Sequence, residues 1–152
     1  VNRNMLAALA LSASGFVGIA LFEGFSASTY IPLPGDKPTI GFGTTDGVAV
    51  GDTVTPMQAL SRALVDISEY EGAIKHCVKV PMHQYEYDAF VSLAYNIGPG
   101  SFCRSTLVKK LNSGDYTGAC AEIKRWHFAN GQSVQGLINR REAEYKRCMG
   151  LQ

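Results

Sequence analysis

The run from Met5 to Phe22 constrains this chain most. Eighteen consecutive residues carry no charge, with Arg3 ahead of them and Glu23 closing them. That length is the short limit for spanning a bilayer, and a basic flank ahead favours insertion with the N-terminus inside. The composition is mild for such a role, because Ser12, Ser14, Gly15, Gly18 and five alanines gain little from lipid. A cleaved signal peptide is a second reading, since Ala8-Leu9-Ala10 resembles a processing site. The third is a helix of the folded core, with Leu6, Leu9, Ala13, Phe16, Val17 and Ala20 roughly on one face. A segment able to be both export signal and folded helix places the protein outside the inner membrane, where disulfides form.

No repeat, low-complexity tract or linker interrupts the 152 residues, which read as one continuous domain over 1–152. Hydrophobic residues at 46% and charged residues at 18% give a globular composition, long enough to bury a core. The net charge of +1 hides an asymmetry: residues 1–102 carry five basic and nine acidic side chains, residues 103–152 nine basic and four acidic. A basic last third suits an anionic polymer or membrane surface, and equally an ordinary helical surface rich in lysine. Nucleic acid is disfavoured, because no helix-turn-helix, zinc-finger or RNP-like pattern is present. Cys77, Cys103, Cys120 and Cys148 contain no C-x-x-C, and His76, His83 and His127 form no close ligand pairs with them. The sequence therefore offers no metal site, and four cysteines allow two disulfides in three connectivities, or four free thiols.

After the first segment, residues 29–52 are rich in Gly, Pro and Thr, and 24–54 reads as a small β-lobe. Asp46-Gly47 predicts a hairpin turn between Thr39–Thr44 and Val48–Val50. Thr55-Pro56-Met57-Gln58 matches a capping box with proline at the first helical position. It opens a helical lobe, 55–152, whose first helix places Met57, Leu60, Leu64, Ile67 and Ile74 near helical spacing. Pro81 is read as the start of another helix, with Met82, Tyr85, Ala89, Leu93 and Ile97 on one stripe, stopped by Gly98-Pro99-Gly100. Asn112-Ser113-Gly114 separates two shorter helices, with Asp115 placed to cap the second, and 136–149 forms the last. The fold class is α+β with a dominant helical part.

The stretch from Phe22 to Gly43 carries the chemistry. Glu23 ends an apolar helix beside Phe22 and Phe25, with Gly24 suited to terminate it. Apolar neighbours and the negative end of the helix dipole both disfavour a carboxylate, as a general acid working near neutral pH requires. Asp36 lies in the turn Pro34-Gly35-Asp36-Lys37-Pro38, polar and hydrated, so it stays ionised. An apolar-flanked acid and a hydrated carboxylate are the pair that glycoside hydrolysis uses. Thr39 opens a strand whose alternation sends Thr39, Gly41 and Gly43 one way and Ile40 and Phe42 the other. The first face leaves room for a sugar ring against backbone, with the Thr39 hydroxyl placed to hold an attacking water. Glu23 as a mere helix end, Asp36 as a turn residue and Thr39 as a plain β-former are the competing readings.

Together, Glu23-Gly24, Tyr30 seven residues later, and Gly35-Asp36-Lys37-Pro38-Thr39-Ile40-Gly41-Phe42-Gly43 resemble the phage T4-type lysozyme (endolysin) family. Ala94-Tyr95-Asn96-Ile97-Gly98 and Gly136-Leu137-Ile138-Asn139-Arg140-Arg141-Glu142 are similar to that family too. The resemblance implies a lysozyme-like two-lobed fold and cleavage of bacterial peptidoglycan between N-acetylmuramic acid and N-acetylglucosamine, by a cofactor-free monomer. It implies Glu23 as general acid, with an Asp and a Thr completing the triad. The usual Asp position, nine residues after the Glu, is Pro32 here, and the Thr falls at Thr39 rather than at Pro38. Asp36 is therefore assigned the Asp role, being the one carboxylate between Glu23 and Thr39. Gly41, Gly43, Tyr95 and Asn96 are assigned to substrate, the last two lining the cleft between lobes. Arg140 or Arg141 is expected to orient the acid.

The resemblance also implies disulfides Cys77–Cys103 and Cys120–Cys148. The N-terminal segment resembles the weak signal-anchor of certain secreted endolysins, which tethers the enzyme to the inner membrane before release into the periplasm. Two rivals remain: a lytic transglycosylase, which needs the Glu but no activated water, and a non-catalytic wall-binding protein on the same fold.

Overall fold

A computed structural model describes residues 2–151, which form an α+β fold of helices and two small antiparallel sheets. The chain separates into two compact units, one made of residues 17–69 and the other of the residues before and after it. Two helices pass through the boundaries: α1 (Ala13–Glu23) and α2 (Pro56–Cys77). The units thus divide within these helices, after residues 16 and 69.

In the 17–69 unit, β1 (Ser26–Tyr30) pairs antiparallel with β2 (Thr39–Gly41), Ser26 opposite Gly41 and Tyr30 opposite Thr39. Residues 52–54 run along the other edge of β1, with Thr29 N–H donating to the Asp52 carbonyl and Val54 N–H to that of Ala27. The hairpin expected across Asp46-Gly47 does not form. Gly41 and Gly43 adopt φ of +65° and +92°, which bend the chain back before the strand can extend. Ile40 and Thr44 then exchange backbone hydrogen bonds of 3.0 and 3.1 Å, and Asp46-Gly47 makes a separate turn. Ile40, Val54 and Ala59 form a small core, with Phe42 and Val48 packed against it.

The other unit is helical: α3 (Gln84–Ile97), α4 (Pro99–Cys103), α5 (Thr106–Asn112), α6 (Tyr116–Glu122) and α7 (Gln135–Cys148). A short hairpin, β3 (Phe128–Ala129) with β4 (Gln132–Ser133), lies between α6 and α7. Every residue from Glu86 to Ala94 of α3 is buried, and α3 packs on α7 and α4. Pro81 does not open this helix. Met82 exchanges two backbone hydrogen bonds with Asn4, and His83 caps α3 in a capping box with Glu86. Gly98, at φ +86°, ends α3 as the Gly-Pro-Gly run predicts. Asp115 caps α6 by accepting Gly118 N–H at 2.8 Å. The disulfides are Cys77–Cys103 and Cys120–Cys148, with Cα separations of 5.6 and 5.7 Å. These are the pairs the resemblance implies.

Two stripes differ from expectation. In α2 Met57 and Leu64 are exposed, while Ala59, Ala63, Ile67 and Ile74 face inward. The uncharged run is not one helix: a 3-10 turn over Leu6–Ala8 precedes an extended Leu9, and α1 starts only at Ala13. That break shifts the register. Leu6 and Leu9 are buried as expected, but Val17 is 55% exposed and Gly15 and Ile19 turn inward instead. Among the described residues no helix is long and apolar enough to cross a membrane.

Candidate active site

Glu23 is the last residue of α1 and is half-buried. Gly24 follows at φ +68°, its N–H donating to the Ala20 carbonyl at 3.1 Å. A left-handed residue there stops the helix without a Cβ penalty and turns the chain into β1. Phe25 packs on Phe42 with ring centroids 5.5 Å apart, tying the exit of α1 to the turn after β2. The acid thus sits at a junction braced by an aromatic pair. Ser26, which follows that junction, pairs with Gly41, whereas Tyr30 and Thr39 close the hairpin at its other end.

Asp36 lies in the loop that closes that end and is exposed, its N–H donating to the Leu33 carbonyl at 3.0 Å. Residues 34–36 of the turn are all exposed. Thr39 is only 5% exposed, and its hydroxyl donates to the Lys37 carbonyl at 3.1 Å. One hydroxyl proton is therefore given to the local turn, leaving the oxygen as an acceptor.

Gly41 departs from the role assigned to it. It is buried, and a Cβ built there would stand 2.8 Å from Ala59 Cβ. The space above Gly41 is filled by α2, so this glycine serves close packing and a positive φ rather than an opening for sugar. Gly43 is half-buried in the tight turn. The strict alternation read from the sequence fails because both glycines leave the extended region.

In the helical unit Tyr95 packs edge-on against Tyr70 at 5.3 Å, and exposed Asn96 accepts a hydrogen bond from Arg141 Nη2 at 2.6 Å. Arg140 and Arg141 are both buried, so neither is the surface arginine that a polar helix end suggests. Arg140 Nε donates to Glu144 Oε1 and its Nη2 to the Ser92 carbonyl, while Arg141 Nη1 lies 3.2 Å from Glu144 Oε2. Sequence reasoning missed Glu144, to which Ser92 also donates its hydroxyl at 2.6 Å. The signal was available, since Arg140, Arg141 and Glu144 fall at i, i+1 and i+4 on one helix. Also missed was Asp66, which accepts from the buried Thr44 hydroxyl at 2.6 Å. Burial pushes the Asp66 carboxyl above its ordinary range, and that hydrogen bond opposes the shift.

Comparison with known proteins adds the decisive observation. A family model described as phage lysozyme matches residues 20–144, from the end of α1 into α7. This chain belongs to the phage lysozyme family. It is 41% identical over 138 residues to an endolysin of Acyrthosiphon pisum secondary endosymbiont phage 1, covering 88% of this chain and 94% of that protein. It is 38% identical over 142 residues to a SAR-endolysin of Pseudomonas phage phiKMV, covering 90% and 87%. Its fold matches the muramidase domain of SpmX from Asticaccaulis excentricus with a TM-score of 0.86 at 30% identity, covering 93% and 98%. The phage lysozyme fold and chemistry follow: the chain is a glycoside hydrolase of the lysozyme type, and its substrate is peptidoglycan. Transglycosylation is not favoured by this company.

Proposed function

We propose that this lysozyme is an endolysin in which Glu23 protonates the departing glycosidic oxygen, with Asp36 and Thr39 serving the attacking water. The observation that carries the reading is the junction at Glu23. A half-buried carboxyl closes α1 directly before a left-handed glycine and the hairpin that bears the other two residues. General-acid catalysis is typically worth on the order of 10²–10⁴-fold. Glu23→Gln should therefore abolish wall lysis in a protein that keeps its fold and both disulfides. The readout is mass analysis of muropeptides from purified cell wall, which also separates hydrated reducing ends from anhydro-sugars. Near-normal products from folded Glu23→Gln would sink the assignment.

The acid-orienting role belongs to one of the two buried arginines of α7, Arg140 or Arg141. Lysine substitution at the orienting position should shift the pH profile of activity, and the same change at the other should leave that profile in place.

The same enzyme, a monomer in this reading, is exported through residues 5–22 and held at the inner membrane until that segment leaves the bilayer. Support comes from the relatives named SAR-endolysins and from α1 itself. That helix buries Ile19 yet leaves Val17 and Leu21 at 55% and 78% exposure. A helix apolar all round suits lipid better than the surface of a soluble protein.

A further inference from the structure

The uncharged run contains a break that other side chains hold open. Residues 9–12 lie outside both the 3-10 turn and α1; Leu9 N–H and the Ser12 carbonyl bond within the segment, but the Ala10 carbonyl and the N–H groups of Leu11 and Ser12 need partners from elsewhere. Three side chains of α2 and α3 supply them. Gln84 Nε2 donates to the Ala10 carbonyl at 2.8 Å, and Glu71 Oε1 accepts Leu11 N–H at 2.7 Å. Asp88 accepts Ser12 N–H at 3.0 Å and the Ser12 hydroxyl at 2.5 Å. Ser12 Oγ then accepts Gly15 N–H at 3.0 Å and caps α1. The holders are themselves braced, since Tyr87 donates to Glu71 at 2.8 Å and Gln84 to Asp88 at 2.9 Å. Asp88 is 3% exposed, and Arg147 lies 3.6 Å from it. A Cβ on Gly15 would stand 3.0 Å from Asp88 Cγ, so the glycine permits the approach.

A bilayer imposes the opposite shape on these residues. In lipid every backbone N–H and C=O must be satisfied within the segment, which requires a continuous helix. At about 1.5 Å per residue a continuous helix over this run is just long enough to span the hydrocarbon. The break at 9–12 can therefore exist in the soluble form alone. Resting on the membrane-anchor reading above, we propose that Glu71, Gln84 and Asp88 form an internal receptor for the broken segment. They stabilise the kinked form over the bilayer helix and so govern release of the enzyme from the membrane. Upstream, Arg3 gives Glu86 two hydrogen bonds of 3.1 and 2.8 Å and covers the Tyr116 ring at 3.6 Å, which latches the end of the segment.

The test uses the full chain in bacterial cells, fractionated into membrane and soluble pools over time. Glu71→Gln combined with Asp88→Asn replaces charged acceptors by neutral ones, and release should slow about ten-fold. Ala10→Pro should act in the other direction. Leu9 already holds the extended backbone a following proline demands, at φ −97° and ψ 144°, while the bilayer helix would be interrupted. Amide exchange on the soluble protein supplies the independent readout. The double variant should exchange faster at Leu11 and Ser12, with α5 and α6 unchanged. Wild-type release from a variant whose Leu11 and Ser12 amides exchange faster overturns the receptor while leaving the anchor standing. Slowed release of Ala10→Pro overturns it as well. A wild-type chain never found with membranes overturns the anchor reading, and the receptor with it.

Discussion

Asp66 and Asp36 show how differently two aspartates of one unit are used. Asp66 is partly buried beside Thr44, with Glu69 and Asp46 adding repulsion and Arg62 opposing them. Its folded pKa is raised above the unfolded value, so any stability it contributes is present below the unfolded pKa. That stability is lost as pH rises through the folded pKa. Asp66→Asn should therefore raise the melting temperature at neutral pH and flatten its fall from the acid range, read from thermal scans across pH. A lower midpoint at pH 7 would mean that the Thr44 hydrogen bond outweighs the desolvation. Asp36 is exposed in its turn, and so is Asp46. If Asp36 serves the water, Asp36→Asn should cost far more lytic activity than Asp46→Asn, with both proteins equally stable. Equal small losses would reduce Asp36 to a turn residue. Both aspartates were visible in the sequence, but the Thr44 contact that distinguishes Asp66 was not, because the partners lie 22 positions apart.

Helix ends were more legible than helix faces. Thr55 and Gln58 form the reciprocal bonds that the capping box predicts, 2.9 Å from Thr55 N–H to Gln58 Oε1 and 3.3 Å from Gln58 N–H to Thr55 Oγ1. Thr55→Ala should cost about 1 kcal/mol in a urea titration. Caps are local, so a few neighbouring residues suffice to specify them. The buried stripe of α2 is not local. Small Ala59 faces inward because β2 approaches there at Gly41, and larger Met57 is left outside. Gly41→Ala tests that packing. A methyl group 2.8 Å from Ala59 Cβ, on a backbone with φ +65°, should destabilise by roughly 1–3 kcal/mol. An unchanged midpoint would show that the strand can move aside.

Both disulfides lie in the helical unit, closing sequence separations of 26 and 28 residues. Loop-closure entropy assigns each roughly 3–4 kcal/mol through the unfolded chain. Reduction should therefore lower the melting temperature strongly, and a denaturant titration with and without reductant measures it. Coincident curves would show that the helical core stands without the bridges. Gly15 matters to the molecule as a whole. Gly15→Leu would favour the bilayer helix and also crowd Leu11 and Asp88, so it opposes the folded form twice. Such a variant should stay in the membrane fraction and lyse late.

The family, the acid at a helix end, the caps of α2 and α6 and the α+β order were all present in the residues themselves. These depend on short spans of chain, where spacing, glycine and proline act directly on the backbone. Contacts between distant positions were not. The Asp46-Gly47 hairpin lost to a tighter turn because two glycines had already reversed the chain. Gly41 proved to be a packing glycine because α2 occupies the space beside it. The uncharged run gave no sign of where it breaks, because the partners of residues 10–12 are Glu71, Gln84 and Asp88, more than fifty positions along the chain. A period of 3.6 residues records which faces are apolar; it cannot record which face another element covers.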